Sequence, residues 1–214
     1  MTVEAHSKGI QIHFKSYLFF VGVGLVAGII TRLSDFFPND DLWSFSSIAT
    51  LFGFWMLTVT LIIYFSSSNK NAAINVLLYL FAMNFSFYFL QYVLGFFIPR
   101  FYTEGFQWNL FILYSVFALV CSAISYALYF WNKETKLSNF LYALPVSGLA
   151  AETIGVSIYL YNNHTFLFQF IFDTLSLIIL GYWFYQKVNN KLIYIATIVA
   201  TSLIGYFLVY RPFL

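Results

Sequence analysis

The chain has 214 residues, of which 61% are apolar, 23% aromatic and 8% charged, and its formal charge is +2. Soluble domains run at about 45–50% apolar and about 25% charged. A water-soluble globule, a disordered chain and a nucleic-acid binder are therefore excluded. A polytopic membrane protein remains, with the lipid bilayer as its first partner.

A helix that crosses the hydrocarbon needs about 20 mainly apolar residues. Charge-free stretches at 42–69, 71–99, 105–132 and 192–210 each offer one crossing. The stretch 137–186 carries only Glu152 and Asp173 and is long enough for two, turning at Asn162-Asn163-His164. Ser16–Thr31, extended by Leu33, Phe36 and Phe37, supplies the first. The sequence thus predicts an all-α, single-domain bundle of seven membrane helices near 16–37, 42–66, 72–98, 107–131, 139–161, 165–186 and 191–210. Runs such as Leu61-Ile62-Ile63-Tyr64-Phe65 do not alternate, which argues against a β-barrel. The first segment has a long apolar core, no A-x-A site and Arg32 within the same helix, so it reads as a retained helix rather than a signal peptide. Cys121 is the one cysteine and lies mid-helix, so no intramolecular disulfide is expected.

Seven crossings place the termini on opposite sides. Lys8, Lys15, Lys70, Lys133, Lys136, Lys187 and Lys191 share the N-terminal side, against Arg32, Arg100 and Arg211 on the other. The Lys/Arg-rich side is normally cytoplasmic, so the N-terminus is expected inside and the C-terminus outside. Trp43 and Trp108 fall at outer ends, and Trp131 and Trp183 at inner ends, where Trp favours the headgroup level. Short loops and the absence of a targeting extension point to a bacterial plasma membrane.

A charge near the bilayer centre costs about 2.5–3.5 kcal/mol, so polar residues inside the spans are the informative ones. In the fifth span Gly148, Ala151, Glu152 and Gly155 share one helical face, and small residues there admit a neighbouring helix. Pro145, a turn earlier, is expected to kink this helix. In the sixth span Gln169, Asp173 and Ser176 form a stripe. Asn84, Tyr88 and Gln91 repeat that spacing in the third, and Gly28, Arg32 and Asp35 in the first. At 1.5 Å per residue, Glu152 lies about 15 Å and Asp173 about 12 Å from the outer turn that joins their helices. The two carboxyls are therefore expected to face each other at similar depth. Gln91 and Arg32 lie about 10 Å and about 8 Å below the outer ends of their helices. The expected site is an outward-facing polar pocket of Glu152, Asp173, Gln169, Gln91, Asn84, Tyr88, Arg32 and Asp35, with rings such as Trp55 and Phe172 nearby. Interhelical hydrogen bonding explains Asn84 and Gln91 taken alone, and Arg32 with Asp35 fits an interfacial i, i+3 pair.

The sequence lacks the rhomboid-type G-x-S-G, H-E-x-x-H and G-x-x-x-x-G-K-[ST] signatures, and His6, His13 and His164 have no metal-ligand spacing. No cofactor and no metal are expected, and the acid pair departs from the two-Asp arrangement of aspartyl proteases. Three functions follow in order. The first is binding or transport of a small, cationic or hydrogen-bonding solute. The second is a non-transporting accessory, immunity or sensor protein with a membrane-protein partner. The third is an intramembrane enzyme using the two acids. In plan, being short, aromatic-rich and polar in its outer half with no nucleotide motif, the chain resembles the substrate-binding subunits of energy-coupling-factor importers. That resemblance implies solute capture, although those subunits typically have six helices.

Overall fold

The computed structural model describes residues 14–38, 40–133 and 137–213, and these fold entirely as helices and their connections. Lys8, His6, His13 and Lys136 lie outside the described residues. The long helices are α1 (Phe14–Ser34), α4 (Asn69–Gly95), α5 (Trp108–Leu128), α6 (Ser138–Asn163), α7 (Leu167–Tyr185) and α8 (Lys191–Gly205). Two shorter ones, α2 (Ser47–Thr50) and α3 (Gly53–Phe65), lie between α1 and α4. Among the described residues six helical segments are long and apolar enough to cross a membrane, with α8 counted together with the π-helical turn Tyr206–Tyr210 that continues it.

The expected continuous helix over 42–66 is not formed. Asp41 accepts from the Ser44 N–H through Oδ1, and the Ser44 hydroxyl donates to the Asp41 carbonyl at 2.8 Å, while Ser44 sits at φ 43°. This turn prevents a helix from starting at Leu42. After one turn of α2, Leu51 is extended at φ −99°, ψ 159°. Short side chains that compete for backbone groups (Ser44, Ser46 and Ser47) make such a departure cheap.

The chain divides into two compact units, Met1–Leu33 with Leu61–Tyr129, and Ser34–Thr60 with Phe130–Leu214. In the first, α1 lies against α4 through glycines. A Cβ on Gly24 would meet the Tyr79 carbonyl oxygen, and one on Gly28 would meet Ser86 Oγ and the Met83 carbonyl oxygen. The Gly24-x-x-x-Gly28 spacing thus serves backbone contact within the chain. α4 is tied to α5 by Asn84 Nδ2, which donates to the Phe111 carbonyl at 2.9 Å and to Ser115 Oγ at 3.0 Å. Only 11% of the α5 span is buried, leaving Ile112, Leu113, Val116, Leu119 and Val120 for lipid.

In the second unit α6 packs on α7 and α8. It runs unbroken through Pro145 and stops at His164, whose left-handed conformation (φ 55°) lets its N–H reach the Leu160 carbonyl at 2.9 Å. Phe166, at φ 72°, stacks on Tyr159 and turns the chain into α7. The first free N–H groups of α7 are met by the carbonyls of Leu42 and Trp43, at 2.9 and 3.3 Å. Trp131 is not the interfacial anchor expected of it. It is buried, stacked on Tyr142 at 5.3 Å and tilted against Phe184 at 5.4 Å. The chain leaves α5 through a 3-10 turn (Tyr129–Asn132), which directs this indole inward.

Candidate functional site

The small face of α6 receives its neighbours closely. A Cβ on Gly155 would lie 2.8 Å from Tyr210 Cβ, one on Gly148 2.7 Å from Met56 Sδ, and one on Gly205 of α8 3.2 Å from Ala151 Cβ. Tyr210 owes its position to the π-helical turn Tyr206–Tyr210, whose extra residue redirects the end of the α8 segment. On this face, among α3, α7 and Tyr210, Glu152 is fully buried.

The polar stripe of α7 also turns inward. Gln169 and Asp173 are fully buried and Ser176 nearly so. Gln169 Nε2 donates to Asp173 Oδ1 at 2.8 Å across one helical turn. Asp173 Oδ1 presses on Gly53, the first residue of α3, so closely that a Cβ there would overlap it. The two acids interact electrostatically, as their similar depths in the sequence predict.

The break at Leu51-Phe52 adds a partner that composition could not show. α3 begins beside the acids, and the first four N–H groups of a helix lack intrahelical acceptors. The N–H groups of Phe52 and Gly53 and the Tyr210 hydroxyl face Glu152 as hydrogen-bond donors. Asp173 Oδ2 and Gln169 Oε1 are buried without a hydrogen-bond partner.

No protein-family model matches the chain, and no curated protein and no solved structure shows significant similarity to it. Its chemistry rests on its own residues.

Seven of the eight expected site residues fall into two groups, one in each unit. Glu152, Asp173 and Gln169 form the group just described. Arg32, Tyr88, Gln91 and Asn84 belong to the other unit. There the Arg32 guanidinium lies over the Phe87 and Phe101 rings, at 4.9 and 4.8 Å, and Nη1 donates to Gln91 Oε1 at 3.3 Å. Tyr88 is buried beside Tyr114, with ring centroids 6.3 Å apart. Asn84 is engaged by α5 through its Phe111 and Ser115 bonds. Asp35 lies half-buried in the turn after α1. The open vestibule expected above the acids is not formed, because Glu152 and Asp173 are both shut off from solvent.

Two participants escaped the sequence reading, Gly53 and Tyr210. The signal for Gly53 was a glycine following Ser46, Ser47 and Thr50 inside an apolar run. Tyr210 carried none, because a π turn cannot be read from composition. Among the described residues no three His, Cys, Asp or Glu side chains converge as a metal-binding group.

Proposed function

We propose that this is a multi-pass membrane protein that binds a small cationic or hydrogen-bonding solute at the Glu152–Asp173–Gln169 cluster and carries it across the bilayer by opening that closed site. The observation that carries the reading is a pair of fully buried carboxyls at the head of a broken membrane helix. Irregular backbone at membrane depth is tolerated where it is buried in protein or lines a cavity, and interrupted helices are a frequent way to build solute sites. In this reading the 42–66 segment makes the seventh crossing as an interrupted helix, with the N-terminus cytoplasmic and the C-terminus outside. With no nucleotide-binding motif in the sequence, a gradient supplies the driving force.

Magnitudes favour binding over a purely structural role. Capping a helix is worth about 1 kcal/mol, whereas each intramembrane charge costs about 2.5–3.5 kcal/mol. Two fully buried acids on different helices exceed what capping one helix end requires.

The test is thermal unfolding of the purified chain in detergent against alkali cations, choline, guanidinium, primary amines and neutral amino acids. At least one of these raises Tm, and Glu152→Gln and Asp173→Asn remove the rise while eluting as the same monodisperse species. A flat response to every probe, or a rise that survives both substitutions, overturns the reading.

A further inference from the structure

We propose that an anionic phospholipid binds the first unit, with one acyl chain in a groove between α1 and α3 and its phosphate at the head of α4 beside Lys70. The inference is independent of the acid cluster and goes beyond the solute reading.

The groove holds about 200 Å3, and its lining of Phe19, Phe20, Leu61, Ile62 and Phe65 is wholly apolar. Phe20 and Ile62 are buried and form its floor, while Phe19 and Phe65 stand exposed at its edges. One turn of helix, about 10 Å across and about 5.4 Å tall, exceeds that volume, so a partner helix cannot enter. A single acyl chain can.

Two glycine contacts set the level of the turn between α3 and α4. Gly24 lies against Tyr79 and Gly28 against Met83, so α1 and α4 run parallel with an offset of 55 residues. That offset puts Asn75 level with Phe20, and Asn75 Nδ2 donates to Ser66 Oγ at 3.1 Å. Ser66 directly follows Phe65, the last residue of α3. The groove therefore ends where Ser66–Lys70 begins, a hydroxyl-rich turn that leads into α4.

This turn carries donors and no acid. Lys70, the second residue of α4, is exposed, and the first turn of that helix has no acidic side chain. The sequence has none between Asp41 and Glu104. A helix N-terminus already bears about half a positive charge, so a lysine there is unfavourable until an anion joins it. Ser68 Oγ accepts from the Asn71 N–H at 3.1 Å, and the N–H groups of Asn69 and Lys70 remain for a ligand. Asn71 provides the independent observation. Its side chain is fully buried and turned into the head of α4, where Oδ1 accepts from the Ser67 N–H at 3.1 Å. Its Nδ2 is left without an acceptor. Ser16, level with Asn71 by the same offset, is also buried with its hydroxyl unpartnered. In the orientation proposed above this end is cytoplasmic, the leaflet where anionic lipids and basic residues meet.

The experiment uses the full chain in neutral detergent, titrated with phosphatidylglycerol, with phosphatidylcholine of the same acyl chains, or with glycerol phosphate. Unfolding temperature and the lipid retained in native mass spectrometry are both read. Phosphatidylglycerol raises Tm and stays bound as a single lipid per chain, phosphatidylcholine binds about fivefold more weakly, and glycerol phosphate has no effect. Lys70→Gln removes most of that preference, whereas Lys187→Gln, at another exposed lysine, leaves it unchanged. Leu61→Trp fills the groove and weakens both lipids. Equal binding of the two lipids by the wild type, an unaltered preference in Lys70→Gln, or undiminished binding in Leu61→Trp overturns the proposal. Stabilisation by glycerol phosphate to the same extent makes this a soluble-anion site and overturns it too. So does a dimer that forms without lipid and is lost in Leu61→Trp. The wild-type comparison and Lys70→Gln are decisive even where Leu61→Trp misfolds, and their failure leaves the solute reading standing.

Discussion

Gly53 and Asp173 touch so closely that a side chain of any kind on residue 53 would overlap the Asp173 Oδ1 atom. The break in the 42–66 segment and the acid of α7 are therefore one feature. The helix restarts at the residue that has to be glycine for the carboxyl to reach its first turn.

Gly53→Ala tests that relationship directly. Overpacking of a tight site costs about 1–3 kcal/mol, and the inserted methyl displaces Asp173 and its bond from Gln169. The expected outcome is a lower Tm and loss of ligand stabilisation together. Gly22→Ala is the control, since a Cβ there meets nothing within 4 Å. Equal Tm for the two variants would refute the contact.

Glu152→Gln and Asp173→Asn separate a binding site from a structural one by the sign of the stability change. A site kept for a ligand is strained without it, so removing one of two neighbouring buried acids leaves the empty protein as stable as wild type or more stable. The Asn side chain at 173 can still accept from Gln169, which limits any loss from that bond. Thermal unfolding in ligand-free buffer is the measurement. A fall of several kcal/mol in both variants would mean that the acids hold α3 in place instead.

Much of this site was legible beforehand, for a simple reason. Helical periodicity fixes which residues share a face, so Glu152 with its small neighbours and Gln169 with Asp173 could be paired before any coordinates. A short turn also equalises their depth. Closure of the site was not legible, because it depends on Gly53 and Tyr210, which reach it through a helix break and a π turn. Neither leaves a mark in hydropathy. Trp131 failed for a related reason: its place in the chain matched a membrane edge, while a 3-10 turn put the ring on Tyr142 and Phe184.

Gly28 carries the corresponding contact in the other unit. A methyl there would overlap both Ser86 Oγ and the Met83 carbonyl oxygen. The hydroxyl can rotate away, but the backbone oxygen cannot. Gly28→Ala is expected to lower stability by about 1–3 kcal/mol, and Ser86→Ala in the same chain should restore little of it. Full rescue by Ser86→Ala would show that α1 is held off by the side chain and not by the α4 backbone.

Arg32 gives a second prediction in that unit. Its guanidinium lies between two rings and donates to Gln91, a geometry that uses the planar shape as well as the charge. Arg32→Lys therefore keeps the charge and loses the stacking. The expected loss is about 1–2 kcal/mol, comparable to that of Arg32→Gln. Wild-type stability in the Lys variant would reduce Arg32 to a point charge.

Orientation is tested with single cysteines in a Cys121→Ser background. Phe36 and Tyr161 are exposed, on the side assigned to the exterior, and Asn189 is exposed on the opposite side. Ser67 follows α3 and reports on the interrupted segment. Cysteines at 36 and 161 should react with a membrane-impermeant maleimide in intact cells, and those at 67 and 189 only after permeabilisation. The decisive comparison is 36 against 67. If both label from outside, the 42–66 segment enters and leaves on one face, and the chain crosses six times. The Lys-rich ends would then be divided between the two sides, contrary to the bias that normally sets topology. Opposite labelling establishes a seventh crossing made by a helix that breaks at the residue touching Asp173.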